Sequence, residues 1–103
     1  MALSIRVNNG VFEMTGRLTS DNTNQVIKYF KIILKMNTRI KISLEKLDTI
    51  DMTGILKLKR LSKYAKENGV HISFLSAPHA KINTTLFGSG ITLSTFNASK
   101  YSA

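Results

Sequence analysis

Cysteine is absent from this chain of 103 residues, which removes disulfides, thiol redox chemistry and every zinc site built on thiolates. Proline occurs once, at Pro78, and that scarcity argues against a linker-like or disordered chain. Histidine is nearly as rare. His71 and His79 have no carboxylate or thiol at ligand spacing, so surface or packing roles are expected and no metal is implied. No apolar run approaches the ~20 residues of a membrane span. Arg6, Asn8 and Asn9 interrupt the stretch where a secretory leader would carry its apolar segment. The expectation is a soluble, cytoplasmic domain without membrane insertion. Carboxylates are also few. Six Asp and Glu face fifteen Lys and Arg, leaving a net charge of +9. That balance favours an acidic partner, whether nucleic acid, an anionic membrane surface or an acidic protein, without choosing among them.

What the chain does have is enough apolar content for one core. Hydrophobic residues make up 43% of it, and folding at this size buries roughly 65% of the surface of the unfolded chain. A single domain over residues 1–103 is expected, with a Ser/Asn-rich tail over 97–103 loosely held.

Periodicity divides the chain into alternating elements. Leu3 to Val7 alternates apolar and polar, Asn8-Asn9-Gly10 signals a tight turn, and Val11 to Thr15 resumes the extended pattern, so the first segment reads as a β-hairpin. Ser20, Asp21 and Asn22 are all competent to cap a helix in which Val26, Tyr29, Phe30, Ile33 and Leu34 form the apolar face. Asn37 is a candidate left-handed stop for it. Arg39 to Leu44 alternates as a strand. Lys46 to Ile50 reads as a short connection carrying Leu47 and Ile50 inward. A second helix opens at Asp51-Met52-Thr53-Gly54, buries Ile55, Leu58, Leu61 and Ala65, and stops at Asn68-Gly69. Val70 to Leu75 is the next strand, with Val70, Ile72 and Phe74 on one face and His71, Ser73 and Leu75 on the other. Pro78 suits the first turn of a third helix with Ile82, Thr85 and Leu86 inside. Ile91 to Phe96 is a last short strand or a packed extension. The fold class is α/β, in the order β-β-α-β-α-β-α with that open end, and strand–helix alternation implies helices packed on a mostly parallel, mixed sheet.

The stretch Leu47 to Ile55 carries the most information. It joins extended chain to a helix and places an acid, a hydroxyl and a glycine in the first turn, where unpaired N–H groups and the helix dipole favour negative charge. A phosphate on Thr53 would suit that place. Thr53 is then either a phospho-acceptor or a helix cap. Asp51 either orients that hydroxyl or meets a partner, or is itself the cap. Gly54 either admits a partner closely or relieves packing at the helix start.

At this turn the chain resembles the STAS family, shared by sulphate transporters and bacterial anti-sigma-factor antagonists, whose members carry an Asp-Ser-Ser-Gly-Leu-like turn where this sequence reads Asp51-Met52-Thr53-Gly54-Ile55. Gly16-Arg17-Leu18, Asn68-Gly69-Val70 and Leu86-Phe87-Gly88-Ser89-Gly90-Ile91 extend the likeness over nearly the whole chain in the family's order. The resemblance implies a STAS-like mixed sheet with an N-terminal hairpin. It also implies a regulatory protein-binding module of the anti-anti-sigma type in transcription signalling. Its partner would be an anti-sigma factor that is also a serine/threonine kinase of the GHKL type, and the family's phosphorylated serine falls on Thr53. Partner contact is implied at Asp51, Met52, Thr53, Gly54 and Ile55, at Lys57 on the exposed side of the helix, and at Thr19, Ser20 and Asp21. This sequence departs from the family pattern at Met52, Thr19 and Ser43, and an exposed Met52 would suit a hydrophobic contact. A second reading keeps the fold without the switch: an accessory subunit docking on the ATPase of a lipid-transport ABC system.

Other classes find less support. No nucleophile elbow, phosphate loop or dinucleotide glycine pattern occurs, so no enzyme and no cofactor is indicated. The two longer helices carry eight of the fifteen basic residues, among them Lys57, Lys59, Arg60, Lys63 and Lys66. They spread around more than half the helix and are read as a solvated face. No stacking aromatic runs beside them, which weighs against nucleic acid. The Phe and Tyr residues are expected mostly in the core.

Overall fold

Asn9 and Gly10 both take positive φ, 53° and 78°, the backbone a tight hairpin with the right-handed twist of its strands demands. They join β1 (Leu3–Asn8) to β2 (Val11–Leu18) in antiparallel register, with Asn8 opposite Val11 and Leu3 opposite Gly16. The computed structural model describes residues 3–95. Phe96 and the tail expected over 97–103 lie outside the described residues. After the hairpin come α1 (Thr23–Leu34), β3 (Arg39–Ser43), β4 (Leu47–Ile50), α2 (Met52–Glu67), β5 (His71–Ser76), α3 (Ile82–Leu86) and β6 (Leu93–Thr95).

The sheet runs β1-β2-β3-β5-β6, parallel except at the hairpin, and β4 pairs with β2 beside this path. The alternative of a last strand is therefore realised, with Leu93 opposite Phe74. The Lys46–Ile50 segment, expected as a connection, contains a strand. Leu47 and Ile50 are buried while Asp48 and Thr49 are exposed, so the segment lacks the two-residue period by which a strand is read from sequence. It is extended because β2 offers it a partner. β2 pairs with β3 through Val11–Glu13, then with β4 through Gly16–Leu18, with a register shift between Gly16 and Arg17. Gly16 has φ 110°, a conformation that side chains oppose, and so permits the bend at which the strand changes neighbours.

One face of this sheet is covered. Ile40, Ile42, Ile72 and Phe74 turn toward Val26, Phe30 and Leu34 of α1 and Ile55, Leu58, Leu61 and Ala65 of α2 in a single core. Helices α1 and α2 pack on each other, α2 lies over β4 and β5, and α3 packs against β4. Phe30 is fully buried, and its ring meets Phe12 at 5.7 Å and Tyr29 at 5.2 Å, both edge-on. Arg39, Lys41 and His71, on the alternate positions, are exposed.

Several local expectations need correction. Asn22 occupies the N-cap of α1 but its side chain makes no cap bond; it turns back to the preceding loop. Asn37 is not left-handed; its amide Nδ2 donates to Ile33 O at 2.9 Å and closes the helix end that way. Pro78 lies in the turn before α3, not in the helix, and Thr85 is exposed. Leu75, assigned outward by alternation, is 8% exposed and pairs with the buried Ser43. Phe87 is 90% exposed and is no part of the core. The stop after α2 is as expected: Val70 N–H donates to Ala65 O at 2.8 Å and Gly69 N–H to Lys66 O at 3.2 Å, with Gly69 at φ 76°.

Truncating the central ring tests this packing. Phe30→Ala is expected to lower the free energy of unfolding by about 3–5 kcal/mol, read by urea denaturation followed by circular dichroism.

Candidate partner-binding site

Asp51 joins three pieces of chain. It is the N-cap of α2, with extended backbone (φ −92°, ψ 177°), and its Oδ1 accepts from Gly54 N–H at 2.8 Å. Its Oδ2 accepts from Ser20 N–H at 2.9 Å, thirty-one residues away in sequence. Its own N–H donates to Leu18 O at 3.1 Å. The loop leaving β2 is thereby fixed to the start of α2. That loop is also braced internally. Asn22 Oδ1 accepts from Thr19 N–H at 3.0 Å and its Nδ2 donates to Arg17 O at 2.8 Å, while Asp21 N–H reaches Thr19 Oγ1 at 3.4 Å. The Asn22 and Ser20 bonds went unread in the sequence. Asn22 reads from sequence as a helix cap; its partners, Thr19 N–H and Arg17 O, lie in the preceding loop.

The capping role at this turn falls to Asp51 and not to Thr53, and the Asp51 carboxylate binds two backbone N–H groups, with no bond from the Thr53 hydroxyl. Gly54 is buried and closely approached. A Cβ there would come 2.8 Å from Ile50 Cγ1 and 3.0 Å from Leu18 O, so its role is packing. Ile55 is 7% exposed and belongs to the core. Gly54 and Ile55 therefore offer a partner no side-chain surface, because the helix seats that side of its first turn on the sheet.

The other expected residues do reach the surface. Met52 is 67% exposed and Leu56, one turn on, 44%. Ser20 and Asp21 are exposed; Thr19, Asp51, Thr53 and Lys57 are half-buried. At about 100° per residue, Thr53, Lys57 and Tyr64 share the flank of α2 turned toward α1, while Met52, Leu56 and Lys63 follow its outer line. The placement is consistent with Lys31 of α1, whose Nζ stands 4.6 Å from the centre of the Tyr64 ring. A threonine beside a loop of exposed polar residues, next to an exposed methionine, can serve as a modifiable contact edge. Among the described residues there is no cluster of three or more His, Asp or Glu that could hold a metal.

The STAS domain family model matches residues 2–98. The chain belongs to the STAS family. This STAS domain shares its fold with solved anti-sigma factor antagonists. The unphosphorylated form of the anti-sigma factor antagonist SpoIIAA superposes with a TM-score of 0.69 at 14% identity, covering 97% of this chain and 92% of that one. The phosphorylated Bacillus cell-fate determinant SpoIIAA gives 0.67 at 14% identity, covering 97% and 96%. An anti-sigma factor antagonist from Mycobacterium paratuberculosis gives 0.65 at 12% identity, covering 96% and 88%. No curated protein matches the sequence. The α/β expectation, with an N-terminal hairpin and a mixed sheet, agrees with that fold. Among the described residues no helix is long and apolar enough to cross a membrane.

Two substitutions separate scaffold from surface at this turn of the STAS domain. Asp51→Ala removes the cap and the Ser20 bond together; a cost of about 1–2 kcal/mol is expected, with faster amide exchange at Ser20 and Gly54 by NMR. Gly54→Ala forces a methyl against Leu18 and Ile50, and a loss of about 1–3 kcal/mol is expected in thermal denaturation.

Proposed function

We propose that this STAS domain is an anti-sigma-factor antagonist. It is a non-enzymatic bacterial module that acts in the cytoplasm on transcription, by docking on an anti-sigma factor through the start of α2 and the Thr19–Asp21 loop. The observation that carries the reading is the Asp51 junction. It holds that loop against the first turn of α2 and leaves Met52, Ser20 and Asp21 exposed around Thr53. The likeness to anti-sigma factor antagonists of known structure supports it.

Thr53 is the phospho-acceptor in this reading, and the partner, a GHKL-type serine/threonine kinase, is also the enzyme that modifies it. Thr53 is the second residue of α2, where backbone N–H groups lack intrahelical acceptors, so a phosphate is stabilised there. Lys57 stands one turn further on the same flank, within reach of the new charge. Phosphorylation would add about −1.5 to −2 charges at the contact edge. It would repel an acidic partner surface and break apolar contact at Met52 without disturbing the core beneath Gly54 and Ile55.

Incubation with the cognate anti-sigma kinase and ATP is expected to add one phosphate to the wild type and none to Thr53→Ala, by intact-mass measurement. Thr53→Asp is expected to weaken binding to that partner about tenfold or more, roughly 1.4 kcal/mol, with the melting temperature unchanged. Absence of phosphate on the wild type, with full affinity in Thr53→Asp, would remove the switch. Co-purification with a lipid-transport ABC ATPase would then make the domain a constitutive accessory subunit.

A further inference from the structure

From Lys59 onward α2 borders a second surface that does not include Thr53. Lys59, Ser62, Lys63 and Lys66 form one wall of a groove that continues into a second depression sharing Ser62, Lys66, His71 and Ile72. Its far end is lined by Arg39 and His71, which are opposite each other in the β3–β5 register. Gly90, Ile91 and Thr92 line the other side. Lys59 bends toward this side: a Cβ on Gly90 would lie 2.9 Å from its Nζ. The floor is apolar, formed by Val70, Ile72 and Phe74. Four lysine and arginine side chains line the two depressions, and no carboxylate does. Among the described residues the one ion pair is Lys46–Glu13, elsewhere on the molecule. Along the helix the groove's lysines begin about 9 Å from Thr53, at Lys59, and end about 20 Å from it, at Lys66, so this surface follows the contact edge at the start of α2 and does not include Thr53.

We propose that this groove is a docking site for an acidic, partly apolar segment of a partner protein. Charge complementarity selects the acidity: Arg39, Lys59, Lys63 and Lys66 line the groove with no carboxylate among them. The apolar lining selects a protein over a nucleic acid. A sugar–phosphate backbone has nothing to place on the half-buried Ile91 at the side of the groove, whereas a leucine or phenylalanine between acidic residues does. Base stacking along a strand needs successive exposed rings. Phe74 is 5% exposed, Tyr29 and Phe87 do not line the groove, and the exposed His71 stands there as a single ring. The three lysines stand at i, i+4 and i+7, successive positions along one side of the helix. Along the helix they rise about 6 and 4.5 Å apart, close enough for the long lysine side chains to reach acidic residues presented every ~7 Å by an extended segment.

The test is fluorescence anisotropy with the full chain and three labelled probes: a twelve-residue peptide alternating glutamate and leucine, a polyglutamate peptide of the same length, and a polyuridine RNA of similar length. The glutamate–leucine peptide should bind tightest, and its affinity should fall as salt rises. A triple variant Lys59→Glu, Lys63→Glu, Lys66→Glu should weaken it at least about tenfold, while the three Lys→Arg changes retain it. The charge-matched variant Arg6→Glu, Lys28→Glu, Lys81→Glu, outside the groove, should change it far less; circular dichroism melting reports that each variant is folded. Equal weakening by both triple variants would reduce the attraction to net charge and overturn the assignment. So would RNA binding at least as tight as the glutamate–leucine peptide, polyglutamate matching it, or no binding. None of these readouts depends on Thr53, so the proposed switch can fail while the groove stands, and the reverse.

Discussion

The Asp51 carboxylate is the point on which the candidate contact edge depends. A single side chain closes the start of α2 and holds the loop that leaves β2, using one oxygen for each. Its backbone N–H completes the junction on Leu18 O. An N-cap is ordinarily a local device that satisfies one orphan donor of its own helix. Here the same group is also a long-range tie, because β2 and β4 run parallel side by side and end together at Leu18 and Ile50. The chain leaves both strands at the same edge of the sheet, and the acid sits between the two exits.

This arrangement separates rigidity from contact within one helical turn. Gly54 and Ile55 face the sheet and set how closely α2 can approach Leu18 and Ile50; Met52 and Thr53 ride on the same turn but face outward or toward α1. Charge added at Thr53 would alter what a partner meets while the packing below is untouched. The core behind it, centred on Phe30, Met14, Leu58 and Ile82, is fully buried and takes no part in the exchange. Further along α2 the outer surface changes character, from Met52 and Leu56 to Lys59, Lys63 and Lys66, so one helix offers an apolar end and a cationic end.

Much of this was legible in the residues. The Asn9-Gly10 turn, the β3 alternation of Ile40 and Ile42, the apolar face of α1 and the Gly69 stop of α2 follow from local geometry, and the structure repeats them. The motif Asp51-Met52-Thr53-Gly54-Ile55 located the junction. β4 escaped because its burial follows Leu47 and Ile50 with two exposed residues between them, a pattern made by pairing with β2 and not by alternation. Phe87 is an exception to the expectation that the aromatics lie mostly in the core, because α3 ends at Leu86 and leaves the ring outside.

The sequence by itself determined the hairpin, the helices α1 and α2 and the strands β3 and β5, the absence of thiol chemistry and the excess positive charge, since each depends on near neighbours or on simple counts. Only the tertiary structure decided which of Asp51 and Thr53 caps the helix, which residues of the motif face inward, and where the lysines collect around an apolar floor. Those outcomes depend on what lies across from a side chain, thirty or more residues away along the chain in the case of Ser20 and Asp51. Local sequence carries no trace of that distance until the sheet has brought the ends of its strands together.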